Sequence, residues 1–318
     1  FWAPMFNYTI SRVVELVLTL LVVSLIIFTV VRVIPGDPAQ LILGMNAAPE
    51  NLKALREDLG LNRPMVVQYL DWVRGLLHFD LGESITYNKP VSTLILHRLG
   101  VTLPLTALAA ILGLLIALPM GVFAATRRSK GMDMGIITIS QLGMSIPAFW
   151  FGILLLTLFS VNLGLLPAGG FPGWLKGPVR ALLSLTLPVL TLGLIQSAAL
   201  TRMTRASVLE VLASDFVRTA RSKGIPERNV LFKHVLKNSS ISIVTLVGLQ
   251  VGQLLAGAIV VEMVFHLPGL GRLLMTALQQ RDLPLVQGIV TVLVAAIIIV
   301  NFLVDFIYST IDPRIRLK

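Results

Sequence analysis

Six long apolar stretches divide the sequence, with polar or charged segments between them. They lie at residues 8–31, 101–126, 134–161, 181–201, 239–261 and 283–308. A helix of about 20 apolar residues crosses the hydrocarbon core of a bilayer, so each stretch has the length of a span. The pattern predicts an all-α polytopic membrane protein with six transmembrane helices.

Four prolines lie in or near these spans. They are Pro104, Pro119, Pro147 and Pro188. A membrane helix tolerates proline because neighbouring helices and hydroxyl groups take up the freed carbonyls. We therefore expect the spans to continue through them, with the third span ending at a Gly/Pro-rich segment after residue 161.

The segment between the first two spans, 32–98, contains two amphipathic patterns. The first ends at Gly60 and the second follows Pro64, as helices do. Their apolar positions are Leu52, Leu55 and Leu59, then Val66, Val67, Leu70, Val73 and Leu77. We predict an N-terminal transmembrane helix at 1–31, a helical outer insertion at 32–98, and a transmembrane core at 99–318.

The segment between the fourth and fifth spans, 202–238, predicts a helix, a turn and a second helix. Ser214 or Asp215 can cap the first helix, and Gly224 suits the left-handed residue that ends it. Pro226 suits the first position of the second helix, where its missing N–H is harmless. The apolar face of that helix consists of Val230, Leu231, His234 and Val235.

Composition supports a membrane protein. The chain has 318 residues, of which 55% are hydrophobic and 13% charged, and its mean hydropathy is +0.86. The net charge of +10 lies in short loops and not on one face, so a nucleic-acid partner is not predicted. The absence of cysteine excludes disulfides, thiolate metal sites and cysteine nucleophiles. Residues 1–6 show no signal-cleavage pattern, so we expect the first span to be retained.

Basic residues predict the orientation of the spans. Fifteen of the 26 Lys and Arg residues fall on one side of the six-span arrangement, and eight of these lie in 202–238 against three acids. The 32–98 segment has seven, balanced by seven acids. Short basic loops stay in the cytoplasm. Both termini and 202–238 are therefore expected inside, and 32–98 outside.

The 202–238 segment resembles the EAA loop of binding-protein-dependent ABC importer permeases. That loop reads Glu-Ala-Ala, three residues, Gly, nine residues, Ile-x-Leu-Pro. The matching positions here hold Arg218, Thr219, Ala220, Gly224, His234, Leu236 and Lys237. Ala220, Gly224 and Leu236 keep the general residue. The departures are similar to the dipeptide/oligopeptide/nickel branch, whose version reads roughly RTARAKG…HALRN.

The resemblance extends along nearly the whole chain. Further motifs similar to this family are PGDP at 35–38, LGLNRP at 59–64, DLGES at 80–84, FSVNLGLLP at 159–167, LPGLGR at 267–272 and DPRIR at 312–316. Several motifs in the correct order are far more specific than a single loop.

The resemblance implies a permease subunit with the type I ABC importer fold, in a bacterial or archaeal cytoplasmic membrane. It implies a second homologous permease subunit, two ATPase subunits that hold ATP and Mg, and a periplasmic or lipid-anchored solute-binding protein. This chain itself would hold no cofactor. Di- or oligopeptides are the expected cargo, and nickel complexes and glutathione are also carried within the family.

From the resemblance, we expect the ATPases to dock on the turn region of 202–238. The residues concerned are Asp215, Phe216, Val217, Arg218, Thr219, Ala220, Arg221, Lys223, Gly224, His234 and Leu236. Val217 and Ala220 are small enough to enter a groove on a partner.

Polar residues outside this loop are candidates for a pathway or gate. They are Asp37, Gln250, Gln253 and Glu262. Glu262 closes the fifth span, where a solvated interfacial position is the simpler interpretation. Gly248, Gly252 and Gly257 give the same span a small-residue face, for which helix packing is the simpler interpretation.

Enzyme and metal signatures are missing from the sequence. It contains no G-x-x-x-x-G-K-[ST], H-E-x-x-H or G-x-S-x-G motif, so we expect no enzyme activity. Its histidines have no helical partner for a metal; they are His78, His97, His234 and His266. A stand-alone secondary transporter is the main rival, but would carry charges within the spans or inverted repeats. A membrane-anchored receptor would need a larger outer domain.

Overall fold

The computed structural model describes residues 3–33, 38–44, 48–58, 60–126 and 130–311. Within those ranges the regular structure is helical apart from one two-stranded ladder. In chain order, the elements are α1 (Ala3–Val33), α2 (Pro38–Leu43), α3 (Pro49–Asp58), α4 (Met65–Leu77), β1 (Glu83–Ser84), β2 (Lys89–Pro90), α5 (Val91–Thr126), α6 (Lys130–Ser145), α7 (Ala148–Leu156), a π-helical segment (Thr157–Asn162), a 3₁₀ turn (Trp174–Lys176), α8 (Pro178–Leu212), α9 (Asp215–Ser222), α10 (Glu227–Asn229), a second π-helical segment (Val230–Leu236), α11 (Lys237–Val264), α12 (Leu270–Gln279) and α13 (Leu283–Ile311).

Five of the predicted spans are confirmed as single helices. Each of α1, α5, α8, α11 and α13 contains an apolar window long enough to cross a membrane. All five are longer than the apolar stretches that predicted them, because polar residues continue the helix at one or both ends. The fourth span, for example, was predicted to end at residue 201, whereas α8 continues to Leu212.

The third predicted span is not one straight helix. Instead α6 ends at Ser145, α7 begins at Ala148, and the chain bends by 96° between them. The break falls at Pro147, because a proline disfavours the helical conformation of the residue before it. If the bent pair counts as one span, the described chain has up to six. The other prolines remain inside continuous helices, at Pro104, Pro119 and Pro188.

The chain divides into two compact units. Unit 1 comprises Phe1–Tyr8, Thr102–Pro268 and Val300–Lys318, and unit 2 comprises Thr9–Val101 and Gly269–Ile299. Residues 32–98, predicted as an outer insertion, therefore belong to unit 2, together with most of α1 and with α12.

Glycines allow the helices of unit 1 to pack closely. A Cβ atom added to Gly121 of α5 would lie 2.7 Å from the Cβ of Thr204 on α8. On α11, a Cβ added to Gly257 would lie 3.0 Å from Leu192 of α8, and one added to Gly248 would lie 2.9 Å from a valine of α13. A larger side chain at Gly121 or Gly248 would force its neighbour to shift, and one at Gly257 would press on the end of the Leu192 side chain. The packing role predicted for the small-residue face of α11 is confirmed at Gly248 and Gly257.

Unit 2 contains the two helices predicted between the first two spans. The first, α3, ends at Asp58, shortly before Gly60 with its φ of +64°, and α4 begins directly after Pro64. Leu59 lies outside the described residues. The main core of the unit joins the start of α5 to α12 and α13. Its buried residues are Val91, Ile95, Leu270, Leu273, Ala277, Leu285, Val286 and Ile289.

A buried carboxylate fixes the β1–β2 turn of unit 2 to the start of α13. Asp282 accepts hydrogen bonds from the Ser84 hydroxyl at 2.5 Å, the Thr86 amide at 3.0 Å and the Leu285 amide at 3.2 Å. The bond from Leu285 caps α13, since it satisfies an amide that has no partner within the helix. Three donors together compensate the carboxylate for its removal from water.

Candidate functional site

Residues 213–236 form a compact turn of helices between α8 and α11, here called the polar hairpin. Its turn is centred on Gly224, which has a φ of +72° as predicted. The Gly224 amide donates to the Arg221 carbonyl at 2.9 Å, and the Ile225 amide donates to the Ala220 carbonyl at 3.3 Å. This pair of bonds is the Schellman ending of a helix, whose left-handed residue is usually glycine.

The predicted caps of the polar hairpin differ from the observed ones. Ser214 occupies the N-cap position of α9, but its hydroxyl donates back to the Val211 carbonyl, so the predicted capping bond is wrong. Asp215 lies in the first turn of α9, where a carboxylate interacts favourably with the helix dipole. Pro226 is the N-cap of α10 and not its first residue, and its carbonyl accepts from the Asn229 amide at 2.8 Å.

The second arm of the polar hairpin is π-helical and continues directly into α11. Its wider turn places residues i and i+5 on one face. Accordingly, Val230 and Val235 are both fully buried, as predicted, while Leu231 and His234 are half-buried. Leu236 is half-buried, and α11 begins at the next residue. The hairpin arm and the fifth span therefore form one continuous helical column.

An apolar cluster holds the polar hairpin against the ends of α5 and α8. Its buried members are Ala125, Val208, Val217, Ala220, Val230 and Val235. The expectation that Val217 and Ala220 enter a groove on a partner is wrong, because both side chains are already buried within this chain. The sequence could not reveal this, since the covering residues come from three distant segments.

Two aromatic side chains stand out on the surface of the polar hairpin. Phe216 is 45% exposed and Phe232 is 59% exposed. Phe216 was among the predicted docking residues, whereas Phe232 was missed, although it lies two residues after Val230 and so opposite the predicted apolar face. The other predicted residues with exposed positions are Asp215, Arg218, Thr219, Arg221, Lys223 and Gly224.

An ion pair closes the turn of the polar hairpin. Arg221 meets Glu227 through two bonds, Nη2 to Oε1 at 2.5 Å and Nε to Oε2 at 3.1 Å. The bond from Arg221 lowers the pKa of Glu227 and raises the pKa of Arg221. With side chains 46% and 66% exposed, the pair is screened by water and contributes little to stability.

Glutamines link the middle of α8 to the middle of α11. Gln196 donates to the side-chain oxygen of Gln250 at 2.7 Å, and the amide nitrogen of Gln250 approaches the sulfur of Met203 at 3.8 Å. Gln253 is exposed. The candidate pathway residue Gln250 is therefore engaged in a helix-to-helix bond in this conformation, and sequence analysis missed its partner on α8.

Glu262 is fully buried near the far end of α11, so its predicted solvated position is wrong. Its carboxylate accepts a hydrogen bond from the hydroxyl of Thr102 on α5 at 2.5 Å. Phe265, one turn further, is also buried, and its carbonyl accepts from the Gly170 amide at 2.9 Å. The candidate gate residue Asp37 lies outside the described residues.

Long apolar helices and a polar hairpin that continues into one of them are the features of a multi-pass membrane protein. Residues 5–106 match the N-terminal part of the binding-protein-dependent transport system membrane component. Residues 117–317 match the binding-protein-dependent transport system inner membrane component. The chain therefore belongs to the family of binding-protein-dependent transport system inner membrane components, and it is a permease subunit of an ABC importer.

Relatives match over nearly the full length. A protein of Brucella suis named as a peptide transport system permease is 43% identical over 307 residues, covering 96% of this chain and 98% of the relative. A glutathione transport system permease of Salmonella typhimurium is 41% identical over 314 residues, covering 99% of this chain and 100% of the relative.

A solved structure confirms the fold class. An inward-facing MetNI methionine ABC transporter matches with a TM-score of 0.56 over 69% of this chain and 96% of that chain. At 18% sequence identity, this likeness concerns the fold alone.

Proposed function

We propose that this permease imports peptides of the di- or oligopeptide class, delivered by a solute-binding protein. The observation that carries the proposal is the full-length match, at 43% identity, to a relative named for peptide transport. Glutathione is the second candidate, because relatives named for its transport match at 41% identity over 99% of this chain. Glutathione is itself a modified tripeptide, so the two candidates differ in cargo size and linkage more than in chemistry.

The proposed complex contains this chain, a second homologous permease subunit, two ATPase subunits and a solute-binding protein. The ATPases would hold ATP and Mg, since this chain has no phosphate-cradling motif. ATP hydrolysis is therefore expected from the assembled complex and not from this chain alone. ATP turnover by the purified single subunit would contradict the assignment.

The ATPases are proposed to dock on the polar hairpin, through Phe216, Phe232 and the exposed residues around Gly224. Exposed aromatic side chains beside basic ones are typical of interfaces, where an aromatic anchor enters a pocket of the partner. The internal apolar cluster supports this role, because a hairpin with its own packed core can move as one body when the ATPases move.

Coupling would then follow the helical column from the hairpin into α11. Glu262 lies roughly 38 Å along this helix from Lys237, at 1.5 Å per residue. A displacement of the hairpin would move α11 with it. This movement would strain the Gln196–Gln250 and Thr102–Glu262 hydrogen bonds. These two bonds join α11 to α8 and α5. We infer that they break or re-form when the permease switches between its inward-facing and outward-facing states.

In this proposal both termini and the polar hairpin face the cytoplasm, and the Arg32–Arg98 loop faces outward. The chain has no cysteine, so single cysteines report their own position without background. Asn51→Cys and Ser222→Cys should react with a membrane-impermeant maleimide from opposite sides of the membrane. Reaction from the same side would contradict the topology.

Reconstitution tests the function. The complete complex in vesicles should transport a labelled tripeptide only when two conditions are met. The binding protein must be present on the side of the membrane that the outer face of the permease contacts, and ATP must be present on the side of the ATPases. Competition by unlabelled dipeptide, glutathione and a nickel complex would separate the cargo classes. Uptake driven by an ion gradient without ATPases would instead identify a secondary transporter.

A further inference from the structure

Helix α4 carries an apolar surface that the fold does not cover. None of its residues is buried, although its sequence, MVVQYLDWVRGLL, is mostly apolar. Its most exposed apolar residues are Met65, Val66, Leu70 and Leu77, and Phe79, just beyond the helix, is 86% exposed. Phe79 also has a φ of +59°, a conformation unfavourable for a bulky residue. Exposed apolar patches of this kind mark surfaces that contact a membrane, a partner protein or a ligand.

Contacts with α1 fix the depth of α4. The Tyr69 hydroxyl lies 2.8 Å from the Ser24 hydroxyl, within hydrogen-bond distance. The Phe28 ring packs against Tyr69 and Trp72, with centroid distances of 5.5 and 5.9 Å. Ser24 lies inside the apolar window Val13–Arg32, about 12 Å along the helix from Arg32 at 1.5 Å per residue. The α4 helix therefore lies beside the membrane-spanning part of α1, not beyond it.

An apolar groove opens beside this contact. It has a volume of about 740 Å³ and is lined by α1, the end of α4, the start of α5 and the middle of α13. Leu21, Leu77, Leu96 and Val292 represent the four walls. Three hydroxyl residues line the groove, Ser24, Ser92 and Thr291. The Thr291 hydroxyl donates to the carbonyl of Gln287 on its own helix at 2.7 Å, and the Ser24 hydroxyl donates to the carbonyl of Leu21 at 2.8 Å.

We propose that this groove binds one acyl chain of a phospholipid in the outer leaflet, and that α4 lies embedded in that leaflet. The groove is too apolar for a peptide cargo, whose charged ends would lack partners. A lipid tail is the apolar ligand available at this depth. Arg74 stands three residues before Leu77, on the same face of α4, and suits the phosphate of the headgroup. An amphipathic helix with basic residues is typical of this location.

Native mass spectrometry of the detergent-washed complex, supplied with phosphatidylglycerol, tests the groove. The wild-type chain should retain one phospholipid under washing that removes the loosely bound lipids. Leu96→Trp should fill the groove and lower the retained fraction at least tenfold. Leu103→Trp is the matched control, because Leu103 lies two turns further along the same exposed face of α5 and outside the groove lining. Retention that is absent in the wild type, or equal in both variants, would overturn the proposal.

A nitroxide label tests the immersion of α4 separately. On Leu77→Cys in vesicles of phosphatidylethanolamine and phosphatidylglycerol, the label should be more accessible to oxygen than to a water-soluble nickel complex. The label on Asn51→Cys should show the reverse. A nickel-accessible label at Leu77 would place α4 in water. A label reached by neither reagent would mean that the second permease subunit covers this face; both results contradict the proposal.

Discussion

At one end of α11 the polar hairpin carries its charges in solvent, whereas near the other end Glu262 is fully buried and bonded to Thr102. The hairpin has many charged residues, yet its shape depends on six small apolar side chains. At Glu262 a single carboxylate joins two helices. The comparison teaches that the environment of a charge, and not the number of charges, determines how much the fold depends on it.

The largest effect is expected from placing a charge inside the hairpin cluster. Ala220→Glu buries an uncompensated carboxylate among valines, which should cost roughly 3–5 kcal/mol and unfold the hairpin locally. Hydrogen exchange of residues 213–236 should rise sharply, while the spans stay protected. The control Ser222→Glu adds the same side chain at an exposed position of α9 and should leave exchange unchanged. Equal protection in both variants would show that the cluster does not hold the hairpin.

A smaller effect is expected at the buried carboxylate. Glu262→Ala removes the acceptor of the Thr102 hydroxyl and leaves a void, so the free energy of unfolding should fall by roughly 1–3 kcal/mol. Glu262→Gln keeps an oxygen acceptor and should lose less. Thermal unfolding of the complex in detergent measures the difference. If Glu262→Ala is as stable as wild type, the carboxylate is not the link between α5 and α11.

Next comes the glycine of the turn. Gly224→Val places a β-branched residue at a φ of +72°, which costs about 1–2 kcal/mol of backbone strain although no atom lies within 4 Å of the added Cβ. Insertion should be normal, whereas ATPase co-purification and transport should weaken because the turn is redirected. Ser222→Val is the control, since it adds the same side chain at a helical φ. Wild-type transport by Gly224→Val would show that the turn geometry is not required.

The smallest effect is expected at the ion pair Arg221–Glu227. Glu227→Gln should change the free energy of unfolding by less than about 1 kcal/mol, because both partners are exposed. Because the bond from Arg221 lowers the pKa of Glu227, the contribution should be present above the ordinary pKa of glutamate. It should disappear as the pH falls through the lowered value. Hairpin exchange that is more sensitive to pH in the variant than in wild type would contradict this.

The parts predicted correctly from the sequence depend on short-range signals. Apolar runs located five spans, and Gly224 and the α3–α4 boundaries followed from local backbone preferences. Pro147 lies at a helix break whereas Pro104 and Pro188 lie inside continuous helices, although all three impose the same restriction on the preceding residue. The burial of Val217 and Glu262 depends on residues far away in sequence. No local pattern reports these features.

Docking of the ATPases on the polar hairpin is the central claim, and co-purification measures it most directly. The double variant Phe216→Ser, Phe232→Ser removes both exposed aromatic side chains and leaves the buried cluster intact. Leu175→Ser, at an exposed apolar residue of the 3₁₀ turn, is the control. With membrane abundance and thermal stability equal in all three proteins, the double variant should lose at least nine-tenths of its ATPase subunits and its ATP-driven uptake. Full ATPase recovery and wild-type uptake in the double variant would contradict the docking role of the hairpin.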